Sequence, residues 1–93
     1  PAEEKYSLTD QIRRSSRSVS ANIAEATRKR RYEKHFISKL TDSDAENSET
    51  QVWLEYSYAC NYIDTIQFET LTSKSIEVGK LLNYMINNLD KFL

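Results

Sequence analysis

One glycine and one proline in 93 residues leave this chain almost no means of turning tightly. Hairpins and short sheet connections draw on those two residues, so the chain has to be built from a few long elements. Alternating β-branched runs are absent, while apolar residues recur at spacings of three and four. The reading is all-α: an up-down antiparallel helical bundle with three long helices and short connections.

The first helix is expected over about residues 8–27, with Ser7 capping its first turn and Asp10 favouring its positive end. Leu8, Ile12, Val19, Ile23 and Ala26 fall within about 60° on a helical wheel. Arg13, Arg14 and Arg17 lie opposite, beside Ala21 and Ala24, and Arg28 extends their face. Arg30 would land inside the apolar stripe, so phase alone predicts a break between Ala26 and Glu33.

The second helix is expected over about residues 32–62 and carries two apolar stripes. Phe36, Leu40, Leu54, Tyr58 and Tyr62 form one; Ile37, Ala45, Val52, Tyr56, Ala59 and Ile63 form the other. Two stripes imply burial against more than one neighbour. The first is interrupted by Asp44, Asn47 and Gln51, a polar insert read as a hydrogen-bonded layer facing Ser15, Ser16 or Asn22, with a ligand site as the alternative. Lys39, Asp42, Glu46 and Glu49 face away, yet Trp53 and Cys60 share that outward side, so both are expected at an interface.

The third helix, about residues 65–92, has the clearest start. Asp64 is placed as N-cap with Gln67 as its capping-box partner, and Ile63 and Phe68 as the hydrophobic staple. Phe68, Leu71, Val78, Leu82, Met85, Leu89 and Phe92 make a heptad seam broken only at Ser75. Gly79, beside the seam, is expected to admit another helix at close range.

Charge divides the chain. Residues 1–39 hold ten bases against five acids, a net of +5, and residues 40–93 hold three bases against nine acids, a net of −6. Either the basic half meets a polyanion, or the two halves pair within or between subunits. The basic positions are Arg13, Arg14, Arg17 and Arg28 along one helix face, with Lys29, Arg30, Arg31 and Lys34 at its end. Forked guanidinium donors suit phosphate oxygens, and such contacts are salt-dependent and largely blind to sequence. Tyr32 is the only aromatic in the basic run, so no base-stacking platform is visible.

Enzymatic chemistry finds little to work with. His35 and Cys60 are separated by about 37 Å along one expected helix, too far for a nucleophile–base pair within one subunit. His35 is read as a solvated side chain, and Cys60 as a small core or interface residue. Carboxylate metal sites in bundles use Glu-x-x-His pairs, and the chain has none; Asp42, Glu46 and Glu49 line an outer face. No phosphate loop, zinc spacing or nucleophile elbow is present. The expectation is a non-enzyme with no cofactor, no metal and no small-molecule substrate. No apolar run is long enough to span a bilayer, nothing resembles a secretory signal, and Cys60 has no partner cysteine, so a cytoplasmic protein without a membrane partner is expected. A start at Pro1 rather than Met is consistent with a fragment or a processed chain.

Together, "EEKYSLTDQIRRSSRSVSANIAEA", "DAENSETQVWLEYSYACNYI" and "EVGKLLNYMI", in that order, resemble the four-helix bundle family of 23S rRNA intervening-sequence proteins. The resemblance covers nearly the whole chain. It implies that the three helices are the last three of a four-helix unit whose first helix is lacking here. It also implies a homo-oligomer, with a pentamer the usual form. The family often has Pro in the position of Ser20 and Gly in that of Ala26, and both departures ease continuation of the first helix. Its name records where some of the genes sit rather than an activity, and it brings no catalytic residue set. A related branch, the accessory proteins of diversity-generating retroelements, forms pentamers associated with a reverse transcriptase and binds nucleic acid. The expected function is that of a self-associating bundle that binds RNA or DNA, or scaffolds a nucleoprotein complex, through its basic face. The alternative is a protein–protein adaptor or structural oligomer whose basic half is consumed by subunit contacts.

Overall fold

The computed structural model describes residues 2–93. Three helices follow one another, α1 (Ala2–Arg28), α2 (Glu33–Ala59) and α3 (Thr65–Asn87), and a short 3₁₀ turn (Leu89–Lys91) follows α3. No strand occurs among the described residues. Both neighbouring pairs run antiparallel. Arg14 meets Glu46, and Ser43 meets Val19, across α1 and α2. Asn47 and Tyr58 of α2 meet Ser75 and Thr65 of α3.

The helices lie side by side with α2 in the middle. No Cα of α1 comes within 8 Å of one in α3. Principal-axis extents of 47 × 21 × 13 Å describe a slab one helix thick. The radius of gyration is 14.8 Å, against about 12 Å for a compact chain of this length, so the slab leaves its core open on its faces. The closed part lies at the α1–α2 bend, where Ala26, Phe36, Leu40 and Leu82 are buried and Ile23, Met85, Ile86 and Phe92 pack around them.

Each helix ends for a local reason. α1 starts at Ala2 rather than near Leu8, and Ser7 lies inside it instead of capping it. Four residues of turn, Lys29 to Tyr32, separate α1 from α2, inside the interval where the phase conflict at Arg30 puts a break. α2 stops short of the expected Tyr62. Asn61 adopts φ 60°, Tyr62 N–H reaches the Ser57 carbonyl at 2.8 Å, and Asn61 N–H reaches that of Tyr58 at 3.0 Å. This is a Schellman ending, with Asn in the left-handed position usually held by Gly. The α3 capping box forms as its sequence requires: Gln67 N–H donates to Asp64 Oδ1 at 2.7 Å and Asp64 N–H donates to Gln67 Oε1 at 2.9 Å.

The second apolar stripe expected on α2 does not become a buried flank. Val52 and Tyr56 are exposed, as are Ala45 and Ala59. α2 instead meets α1 through small hydroxyl residues at heptad spacing, Ser43, Thr50 and Ser57, all buried. Ser43 Oγ donates to the Val19 carbonyl at 2.8 Å, and Thr50 Oγ1 donates to Ser15 Oγ at 2.7 Å. Small side chains let the two backbones approach closely, and the Ser43 and Thr50 hydroxyls find acceptors, so burial leaves these two groups satisfied.

Candidate nucleic-acid interface

The bases of α1 do not share one environment. Arg13 and Arg17 are exposed and make no ion pair among the described residues. Arg14 is drawn onto α2: its guanidinium ion-pairs with Glu49, lies 3.6 Å from Glu46 Oε2, and donates through Nε to Gln11 at 3.1 Å. Glu49 in turn accepts from Trp53 Nε1 at 3.1 Å. Arg28 pairs with Glu25, one turn back, at 3.0 Å. The charge division of the sequence is therefore partly spent inside the chain, through Arg14.

The bend carries the rest. Tyr32 N–H donates to the Lys29 carbonyl at 2.9 Å and fixes the turn. Tyr32 sits in the N-cap position of α2 with extended backbone and no side-chain cap bond. The positive end of the α2 dipole thus opens beside Arg30, Arg31 and Lys34, offset by Glu33 in the first turn. Lys29, Arg30, Arg31 and Lys34 make no ion pair among the described residues. His35 stands edge-on to Tyr32 with ring centroids 6.0 Å apart. Lys91, which the sequence analysis did not single out, lines a cleft at the bend together with Arg30.

The three expected interface residues are dispersed. Trp53 is half-buried, tied to Glu49 and beside Tyr56 at 6.1 Å between centroids. Cys60 is exposed at the C-cap of α2, its Sγ 3.8 Å from Glu4 Oε1. Nearby, partial burial, then the Glu4 carboxylate and Cys60, push the Tyr62 phenol above the ordinary tyrosine value. A Cβ built on Gly79 would lie 3.2 Å from Asn47 Nδ2; the close approach that Gly79 permits is between α3 and α2 of the same chain.

The polar insert of α2 also faces a different partner from the expected one. Asn47 and Gln51 bond to Ser75 of α3 rather than to α1, Gln51 Nε2 donating to Ser75 Oγ at 3.0 Å. Above this layer lies a groove of about 260 Å³ between α1 and α3, walled by Ile12 and Val19 on one side and Leu71 and Val78 on the other, with Leu54 and Thr50 in its floor. Among the described residues, no three His, Cys, Asp or Glu side chains are grouped to hold a metal ion, and no helix is long and apolar enough to cross a membrane. His35 and Cys60 stand at opposite ends of α2.

The sequence profile of the 23S rRNA-intervening sequence protein family matches residues 1–84, and the chain belongs to that family. It is similar to the crystal structure of a protein of unknown function from the S23 ribosomal protein family of Bacteroides thetaiotaomicron VPI-5482. The two are 37% identical with a TM-score of 0.84, over 87% of this chain and 71% of that one. No curated protein matches.

Proposed function

We propose that this 23S rRNA-intervening sequence family chain is a non-enzymatic, self-associating scaffold of the cytoplasm that holds RNA or DNA by its phosphates. The observation that carries the reading is a set of unpaired cations. Arg13 and Arg17 on the free edge of α1, and Lys29, Arg30, Arg31 and Lys34 at the bend, have no carboxylate partner among the described residues. Without acids to neutralise them, these side chains leave a positive edge that attracts phosphates through counterion release. Repetition of the edge around a homo-oligomer, a pentamer in this reading, converts weak contacts into avidity. In this reading a helix of a neighbouring copy fills the groove between α1 and α3 and completes a four-helix unit.

The test is binding of generic RNA and DNA at rising salt, with an Arg13→Ala/Arg17→Ala variant beside the parent. The expected result is binding at low salt that falls steeply with salt, and a shallower dependence for the variant. No binding by the parent at low salt would sink the reading. A second reading, a protein–protein adaptor, is supported by the capture of Arg14 by Glu46 and Glu49 within the chain; in it, acids of a neighbouring subunit take up the remaining bases. Loss of oligomer by the Arg13/Arg17 variant, with no nucleic acid bound by the parent, would select it.

A further inference from the structure

Arg30 and Lys91 are far apart in sequence, yet the packing of α3 against the bend makes them walls of one cleft. The cleft measures about 250 Å³ and is lined by Thr27, Arg30, Phe36, Met85, Lys91 and Phe92, with Leu93 at its rim and no acidic residue in its lining. Its floor is apolar: Phe36 is buried, and Met85 and Phe92 pack against the core. Both side chains are exposed at the mouth of the cleft, and two like charges beside one cleft repel each other. An anion placed between them removes that penalty.

Lys91 is held in place by a tyrosine outside the cleft lining. Its ammonium donates to Tyr84 Oη at 2.8 Å and lies 5.2 Å from the centre of the same ring. Tyr84 is itself set edge-on against Phe92, with centroids 6.1 Å apart. One of three ammonium donors is used by the phenol, and two remain. Arg30 makes no ion pair among the described residues, so its forked donors are unspent. A fork on one wall and a compact ammonium on the other match the oxygens of a tetrahedral phosphate. Thr27 contributes only bulk, because its hydroxyl donates to the Ile23 carbonyl at 3.1 Å.

We infer that Arg30 and Lys91 clamp one phosphate of a nucleic-acid backbone in the cleft between the α1–α2 bend and the end of α3. The inference rests on the nucleic-acid reading above and assigns one contact within it. The free edge of α1 supplies separate contacts through Arg13 and Arg17.

The test is fluorescence anisotropy of a short labelled single-stranded RNA over a salt series. The parent is compared with Arg30→Ala, Lys91→Gln, their double variant, Lys91→Arg, and Arg13→Ala/Arg17→Ala. Gln at 91 keeps an apolar stem and a group able to bond Tyr84, and circular dichroism checks that each variant keeps its helices. Each neutral single variant is expected to weaken binding about three- to tenfold. The double variant should lower the salt slope by about one rather than two, since both cations serve one phosphate. Lys91→Arg should retain parent affinity. A double variant that binds like the parent, while Arg13→Ala/Arg17→Ala weakens, overturns the clamp and leaves the nucleic-acid reading standing. A slope lowered by two overturns it as well, because the cations then act on separate phosphates. A parent that binds no RNA at low salt overturns both.

Discussion

Asn47 and Ser75 exchange hydrogen bonds in both directions across α2 and α3: Asn47 Nδ2 donates to the Ser75 carbonyl at 2.8 Å, and Ser75 Oγ donates to Asn47 Oδ1 at 2.8 Å. Both are buried. Ser75 is the residue that breaks the apolar seam of α3, and Asn47 belongs to the polar insert of α2, so two interruptions of hydrophobic pattern meet and satisfy each other. A matched polar pair of this kind fixes register, because sliding one helix by a turn buries both groups without partners.

That pairing sets the first prediction. Asn47→Ala should cost about 1–3 kcal/mol, since the Ser75 hydroxyl loses its best acceptor in a buried site. Asn47→Ala together with Ser75→Ala should cost less than the two single changes added. Gly79 supplies a third arm, because a Cβ there would crowd Asn47 Nδ2 at 3.2 Å. Gly79→Ala should stabilise the Asn47→Ala protein by about 1 kcal/mol through helix propensity, and the parent by less. Denaturant midpoints read all three, and strict additivity would show that the pair is not coupled.

Asn61 carries the second prediction. Its φ of 60° is tolerated by Gly and Asn and disfavoured for other residues. Asn61→Gly should leave the thermal midpoint unchanged or slightly raised. Asn61→Val should destabilise by about 1–2 kcal/mol, by forcing a β-branched residue into the left-handed region. Equal midpoints for the Gly and Val variants would mean that the Schellman ending does not persist in solution.

Arg14 separates the roles of neighbouring bases. Its pairs with Glu46 and Glu49 lie at a partly exposed surface, so Arg14→Ala should cost no more than about 1 kcal/mol. Glu49 also accepts from the Trp53 indole, so losing its arginine should shift the Trp53 emission maximum. RNA affinity should fall less for Arg14→Ala than for Arg13→Ala or Arg17→Ala. An equal or larger fall would mean that the ion pairs open when nucleic acid binds.

How much of this was legible beforehand varied with the kind of signal. The all-helical class followed from the scarcity of Gly and Pro, and the α3 start from Asp64 and Gln67, because capping is chemistry between residues three apart. The break near Arg30 followed from phase. The buried stripe of Phe36, Leu40 and Leu54 on α2 was legible, but the buried hydroxyl row Ser43, Thr50 and Ser57 was missed, since these residues look polar on a wheel; their spacing of seven was the available signal. Asn61 was missed because the apolar stripe runs on to Tyr62, and Asn is a weaker stop signal than Gly. The bases were found as a group, but their sorting was not, since Arg14 differs from Arg13 and Arg17 only in facing Glu49. Lys91 needed the tertiary fold to bring it beside Arg30.

The groove between α1 and α3 yields the last prediction. Leu71 forms part of its wall and is 41% exposed in the single chain. Covering a leucine fully contributes about 1.5–3 kcal/mol, so a surface that buries Leu71 loses affinity sharply when that residue becomes charged. Leu71→Glu should therefore leave helix content intact while raising the dissociation constant for self-association at least about tenfold. Glu55→Gln, an exposed position of α2 outside the groove lining, serves as the control and should leave assembly unchanged. Sedimentation velocity over a concentration series reads the outcome. A parent chain that sediments as a stable monomer at every concentration would refute the self-association on which this prediction depends.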